Sequence, residues 1–470
     1  MTATNTSNEG TFDTEASKSI TLQTLVNIFG NLGASNIYIK KLAPNDNSKN
    51  QIYFGSHLTD LPFIPSGELI GSNTESMKTI DSKRKIKFQT SVNFSWLDAH
   101  SRTYSAPHTK LIYYPQYPEV RFSGFLRGSN TKASEWMDPY KQGRSLGRWL
   151  IMGTTLDEKV YGYLVSPKCD LSKELDATSL IEITNVFRKF DTEQTGITDT
   201  KSALLSRLYE INQMGWIAGQ RLKRGIIIPY KAPNGGGYTY EAILGIEPNS
   251  KAEPDYLGWE VKTFGVKGFP KTSAKPTTLF TPQPDGGYYN IHGAEAFVRE
   301  FGYPDKKGRP DRLNFGGRHV ANRVCNATQL TLNVEGFDPT ESKITDALGA
   351  VTLTDSLNNV VASWGFPKIM DHWKRKHSQA VYVPCLRRSA ASGNEYHYGS
   401  DVELGIGTDF EMFLAALVQG MVYYDPGIKV ENASTVRPRV KQRSQFRINH
   451  RNIYSLYKKL EFVDIAASSL

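Results

Sequence analysis

The sequence predicts two folded domains, a mostly β domain followed by an α/β domain, and three observations lead there. Between residues 20 and 165, short runs of β-branched and aromatic residues alternate with turn residues. Beyond residue 201, apolar residues at helical spacing alternate with further β-rich runs. Between the two stands a polar stretch, 191–200, with the composition of a linker.

In chain order, residues 1–18 are rich in Thr, Ser, Asn and Glu with hardly a hydrophobic side chain, and are expected as a disordered leader. The first domain, 19–170, is predicted to carry strands near 36–42, 51–54, 86–94, 111–114, 120–125 and 161–165, arranged as a barrel or sandwich with a helix or two. A helical linker is expected over 171–200, because Leu180, Ile183, Phe187 and Phe190 recur at helical spacing. Asp191, Glu193 and Gly196 look superficially like a calcium loop, but the twelfth position is Ser202 rather than a bidentate glutamate, so a linker is preferred. Leu204, Leu205, Leu208 and Ile211 then open the second domain, 201–470, with an amphipathic helix. Helices near 294–301, 410–421 and 453–460 and strands near 329–334, 350–353 and 380–383 complete it.

Composition bounds the function. At 470 residues, 39% hydrophobic and 22% charged, the chain can bury a core in each domain. Lys plus Arg number 56 against 47 acidic residues, and the excess of +9 favours polyanionic partners. No apolar run approaches a membrane span, and the N-terminus lacks the basic-then-apolar order of a signal peptide. Cys169, Cys325 and Cys385 fit neither a disulfide framework nor a zinc site, which points to a reducing, cytoplasmic compartment.

The chemistry concentrates in residues 254–262, Pro-Asp-Tyr-Leu-Gly-Trp-Glu-Val-Lys. In a strand, Glu260 and Lys262 share one face while Val261 points to a core. Asp255, entering from the preceding turn, can share a divalent cation with Glu260, and hard carboxylate oxygens suit Mg²⁺. Lys262 adds a compact positive charge beside an attacking water. Together these are the parts for metal-assisted phosphodiester cleavage, although the bare pattern also fits a turn followed by an amphipathic strand. The glycine-rich loop 234–241 is expected to run into a short helix at 242–246 that brings up Glu241, and 277–281 to form the next strand of the same sheet. The basic run Arg437, Arg439, Lys441 and Arg443 reads as a DNA-contacting arm rather than a solvated tail.

Taken in order, Gly215-Trp216, 237–241, 254–262, 278–281 and Phe446-Arg-Ile-Asn449 resemble the MvaI/BcnI-type restriction endonucleases, a branch related to the nicking enzyme MutH. The resemblance spans roughly 200–465 and implies a PD-(D/E)xK nuclease domain with a MutH-like fold. It implies Asp255, Glu260 and Lys262 as catalytic, the two acids as Mg²⁺ ligands, Glu241 as a further active-site glutamate and Arg447 as a guanine reader, with a salt bridge inside the domain as that residue's other role. Residues 38–46, 112–114 and 127–129 are similar to the EcoRII-type N-terminal effector domain, which implies a DNA-binding pseudobarrel with Lys40, Lys41, Asn45 and Asp46 on a loop and Arg127 nearby. The combination resembles the UbaLAI architecture. It implies a Type II, IIE-like enzyme acting on double-stranded DNA beside a cognate methyltransferase, with a short CC/GG-containing site, and is compatible with a monomer.

The departures lie in the base-reading region. A His-Gly pair usual before Phe446 is replaced by Lys441-Gln-Arg443-Ser-Gln445, and Ala433 stands where a relative has arginine. A MutH-like nicking enzyme and a DNA-binding regulator with an inactive nuclease fold are the alternatives, the latter opposed by the joint presence of Asp255, Glu260 and Lys262.

Overall fold

The structure, a computed structural model, describes residues 15–44, 50–74, 85–131, 133–138, 145–190, 200–232, 234–247, 254–270, 274–391 and 393–467. The chain falls into two compact units, residues 1–70 with 87–197 and residues 71–86 with 198–470. Both α and β structure are present, in several separate sheets.

The first unit is built on a seven-stranded sheet in the order Leu180–Glu182, Arg188–Phe190, Ala34–Leu42, Arg148–Thr155, Val160–Val165, Phe94–Leu97 and Thr103–Ser105. A second sheet includes, in order, Gln51–Gly55, Glu119–Ser123, Lys110–Tyr114 and Lys85–Ser91. The helix Leu22–Asn31, capped by the Thr21 side chain, lays Leu25, Ile28 and Phe29 into a core with Ile39, Trp149, Ile151 and Tyr163. Gly153 is needed there, because a Cβ would stand 2.4 Å from the Phe29 ring.

Strands form close to each position expected in this unit, and among those not expected the longest is Arg148–Thr155. All eight of its residues are buried, so it carries no polar–apolar alternation to reveal it. The helical linker is corrected. Asp170–Ala177 is helical, but Leu180–Glu182 and Arg188–Phe190 are antiparallel strands, and Arg188 pairs with Ile39. The chain reverses between the two strands, where the Ile183 and Thr184 amides both donate to the Phe187 carbonyl, so the apolar spacing is that of a hairpin rather than a helix. Phe187 fills the core edge-on to Phe54 and Phe63. Of the expected leader, 1–14 lie outside the described residues and Glu15–Lys18 is one helical turn. The calcium-like stretch 191–199 also lies outside them.

The second unit carries the six-stranded sheet that matters for chemistry. Its path is Ile217–Ala218, Gly393–Tyr398, Gln379–Ala390, Asp401–Ile406 and Lys459–Asp464, and Glu260–Gly265 joins Gln379–Ala390 in parallel. The helices Thr200–Gln213 and Gly235–Ile243 cover it, with Leu204, Leu208, Ile211 and Tyr240 packed on Val261, Val381, Val383 and Leu404. Fully burying one such leucine contributes about 1.5–3 kcal/mol.

Two expectations change here. Thr277–Phe280 is a strand, but it pairs with Phe446–Ile448 in a separate three-stranded sheet. The helix expected at 453–460 is a 3₁₀ segment, His450–Leu456, followed by the strand Lys459–Asp464, where Leu460, Phe462 and Asp464 alternate with Glu461 and Val463 along a sheet edge. The basic run is no tail, since Arg439–Lys441 pairs with Gly427–Glu431.

Candidate active site

Residues 254–262 fold as a turn and a strand. Leu257 and Gly258 both have positive φ, 51° and 83°, and Tyr256 and Trp259 exchange backbone hydrogen bonds at 2.9 and 2.8 Å across them. Two consecutive left-handed residues make the tight turn that reverses a chain, and a leucine is strained there. The reversal carries Asp255 back over the start of the strand, where its Oδ2 accepts the Val261 amide at 3.0 Å.

Strand alternation then sends Val261 into the core and sets Glu260 and Lys262 together. Glu260 is fully buried, and the Lys262 ammonium bonds its Oε1. A second cation comes from another element. Lys376, in the last turn of the helix Phe366–His377, places its Nζ 3.3 Å from both Glu260 oxygens. Nothing in residues 254–262 announces it, since Lys376 lies 116 residues from Glu260 in sequence.

Glu241 lies on the helix Gly235–Ile243, which begins at the glycines themselves rather than after them. Burial, then the charges of Asp255 and Glu260, push its carboxyl up to about 7, against the pull of Lys262 and Lys376. Burial likewise raises Glu260 against the same two lysines. Burial works to lower the Lys262 ammonium, but Glu260, Asp255 and Glu241 outweigh it and hold it above the usual lysine value. Burial thus makes Glu241 and Glu260 reluctant to ionise, a setting that favours added positive charge.

A buried polar framework stands behind these groups. The Phe264 ring stacks on His450 at 3.5 Å, and His450 bonds Thr277 Oγ1 at 2.9 Å and Glu403 at 3.2 Å. Burial holds His377 well below its ordinary pKa, so it is neutral. Its Nε2–H donates to the Leu279 carbonyl at 3.1 Å, which leaves Nδ1 to accept from the Tyr457 hydroxyl at 3.1 Å. Tyr382 in turn donates to Tyr457 at 2.8 Å. This chain fixes the end of the helix that bears Lys376 against the central strand.

The model for the MvaI/BcnI restriction endonuclease family matches residues 205–457, more than half of the chain. The chain belongs to the MvaI/BcnI restriction endonuclease family. Among solved structures, it is similar to restriction endonuclease MvaI in complex with cognate DNA substrate, at 16% identity over 57% of this chain and 99% of that one, with a TM-score of 0.44. It is similar also to MvaI in the absence of DNA, at 13% identity over 57% and 98%, with a TM-score of 0.30. A comparison with curated proteins found no match.

Asp255, Glu260 and Glu241 carry carboxylate oxygens, which are hard donors. Among the described residues, no three of Asp, Glu, His or Cys converge as a ready-made metal cluster. Glu260 is engaged by two ammonium groups instead. The donor type nonetheless suits a hard divalent cation, since three carboxyl groups stand against the two ammonium groups of Lys262 and Lys376.

The other residues singled out from sequence are distributed differently. Arg447 bonds Asp425 at 2.7 Å and the Pro276 carbonyl at 2.9 Å, the intradomain ion pair rather than an open reading head. Arg437, Arg439 and Arg443 are exposed, and Arg443 bonds Gln445 at 3.1 Å. In the first unit, Lys40 and Lys41 sit on the strand Ala34–Leu42 and not on a loop. Lys40 is buried 5.9 Å over the Phe187 ring, and burial lowers it to about 8, while Lys41 pairs with Asp176 and stacks over Trp149. Lys40 is thus withdrawn from solvent, while Lys41 keeps about 47% of its side chain exposed. Arg127 is exposed, and Asn45 and Asp46 lie outside the described residues.

Proposed function

We propose that the protein is a Mg²⁺-dependent, sequence-specific endonuclease that cuts double-stranded DNA as part of a restriction-modification system, with Asp255, Glu260 and Lys262 as its PD-(D/E)xK centre. The observation that carries the reading is the convergence of Lys262 and Lys376 on buried Glu260, with Asp255 folded back beside them. Family membership supplies the reaction class.

Asp255 and Glu260 would hold the metal, which when bound acidifies a water and offsets charge on the scissile phosphate. The Val261 amide fixes the Asp255 carboxylate and uses one of its several acceptor sites. Lys262 would orient the attacking water and stabilise charge on the phosphate oxygens, an ammonium already positioned before substrate arrives. Lys376 is a positioning residue that holds Glu260 from the opposite side. Glu241, near neutrality at about 7, would take up or release a proton beside the cluster.

The first unit is read as an EcoRII-like effector domain, making the enzyme Type IIE-like with a site built on CC and GG. The β-rich pattern and its division from the second unit support this. Cleavage of one-site and two-site plasmids, with and without added duplex carrying the site, tests it. Indifference to both removes the effector reading alone.

The nuclease itself is tested with plasmid DNA, Mg²⁺ and sequencing of the ends. Unique double-strand breaks that vanish with chelator are expected. Nicked circles alone would move the assignment to a MutH-like enzyme, and intact plasmid under all metals would overturn it.

A further inference from the structure

Residues 220–231 carry four basic side chains, Arg221, Lys223, Arg224 and Lys231, and no acidic one. Within them Gln220–Lys223 and Ile226–Pro229 form an antiparallel hairpin that joins no larger sheet. Its turn residues Arg224 and Gly225 have φ of 51° and 73°, the left-handed pair that suits the twist of a two-residue hairpin. The Glu247 carboxylate holds the turn by accepting the Arg224 amide at 2.5 Å. Ile226 and Ile227 nevertheless stand 65% and 53% exposed, beside exposed Lys223 and Arg224. Two adjacent exposed isoleucines on an isolated ribbon lack the burial that would explain them by folding alone.

The ribbon is tied to the active site. At its base, the Gln220 amide donates to Thr239 Oγ1 at 3.1 Å, and Thr239 lies two residues before Glu241 on the same helix. Arg221 stacks over Tyr230 at 5.4 Å, and Tyr230 meets Tyr238 edge-on at 5.0 Å. One helix thus carries both the Thr239 contact to the hairpin and Glu241.

We infer that this hairpin is a DNA-contacting arm that enters a groove edge-on, so that Ile226 and Ile227, on opposite faces of the ribbon, meet the two sides of the groove and Lys223 and Arg224 meet the flanking phosphates. The inference rests on the DNA-cleaving reading of the neighbouring carboxylates. Charge selects the occupant, because an apolar protein partner would have to desolvate these cations whereas a duplex neutralises them. Nucleic-acid binding elements commonly pair apolar wedges with basic side chains, and a groove admits a two-stranded ribbon.

The test uses the full chain with Ca²⁺ in place of Mg²⁺ and a short fluorescein-labelled duplex of mixed sequence, read by anisotropy over a salt series. The pair Lys223→Gln and Arg224→Gln is expected to lower the slope of log affinity against log salt by about 2, since each phosphate contact contributes about 0.9. The pair Ile226→Ala and Ile227→Ala is expected to lose about tenfold in affinity with the slope unchanged. All four side chains are exposed, and unchanged melting curves will verify the fold. Parent-like binding by either double variant overturns the arm. So does unchanged binding with loss of a parent dimer in sedimentation, which would assign the isoleucines to a second copy of the chain. A parent that binds duplex but cuts no plasmid counts against the nuclease reading and leaves this measurement standing. A parent that binds no duplex overturns both.

Discussion

Two glutamates are buried in one six-stranded sheet, paired to the same strand, Gln379–Ala390: Glu260 in register with Ala380 and Glu403 with Tyr382. Their surroundings differ in kind. Glu260 faces Lys262 and Lys376, long side chains that remain 20% and 21% exposed. Glu403 faces His450, an imidazole with no exposed side-chain surface, clamped between Thr277 and the Phe264 ring. A carboxylate bonded to flexible ammoniums near solvent can exchange those partners for a cation or a phosphate. One bonded to an enclosed ring cannot do so without opening the core. Burial therefore does not separate a working acid from a structural one; the mobility and access of its partners do.

The largest expected effect breaks the Glu260 side of this contrast. Asp255→Ala and Lys262→Ala should each lower single-turnover cleavage by about 10³-fold or more while DNA affinity stays near that of the parent. A rate within tenfold of the parent for either variant would remove it from the catalytic set. Lys376→Ala should have an intermediate effect of about 10–100-fold, with more Mg²⁺ needed for half-maximal rate, as expected when support for a metal ligand is lost. Titrating Mg²⁺ against rate for parent, Lys376→Ala and Lys376→Arg distinguishes positioning from fold damage, because arginine should restore part of the loss and melting should not move.

A smaller effect concerns Glu241. Its carboxyl is raised to about 7 in the folded chain against an ordinary value of 4.5, so the folded state binds the extra proton between those pH values. Stability from this group is complete below about pH 4.5 and is lost as pH rises through 7. In chelator, the melting temperature of the parent should therefore fall over that window relative to Glu241→Gln. Parallel curves for the two proteins would show that Glu241 is not held near neutrality.

Much of this arrangement is legible in the sequence, for identifiable reasons. The Asp255, Glu260 and Lys262 set is read from one turn and one strand, where local geometry dictates proximity. The helix Thr200–Gln213 is read from its four buried aliphatics. Lys376 is not legible, because 116 residues separate it from Glu260 and only the tertiary fold brings them together. Arg148–Thr155 is hidden by burial on both faces, and Leu180–Phe190 misleads because its hairpin spaces apolar residues as a helix would. Lys40 shows the limit of charge counting, since the fold buries beside the Phe187 ring a cation that sequence presents as available.

The most direct measurement sets the two glutamates side by side. Glu260→Gln and Glu403→Gln remove the same charge from the same sheet, and each is assayed for single-turnover plasmid cleavage with Mg²⁺ and for thermal unfolding. Glu260→Gln should abolish cleavage with little loss of stability. Glu403→Gln should cost about 1–3 kcal/mol of stability through its weakened bond to His450 and leave the folded enzyme cutting within about tenfold of the parent. Cleavage retained by Glu260→Gln, or lost equally in both variants at matched folding, would contradict the account.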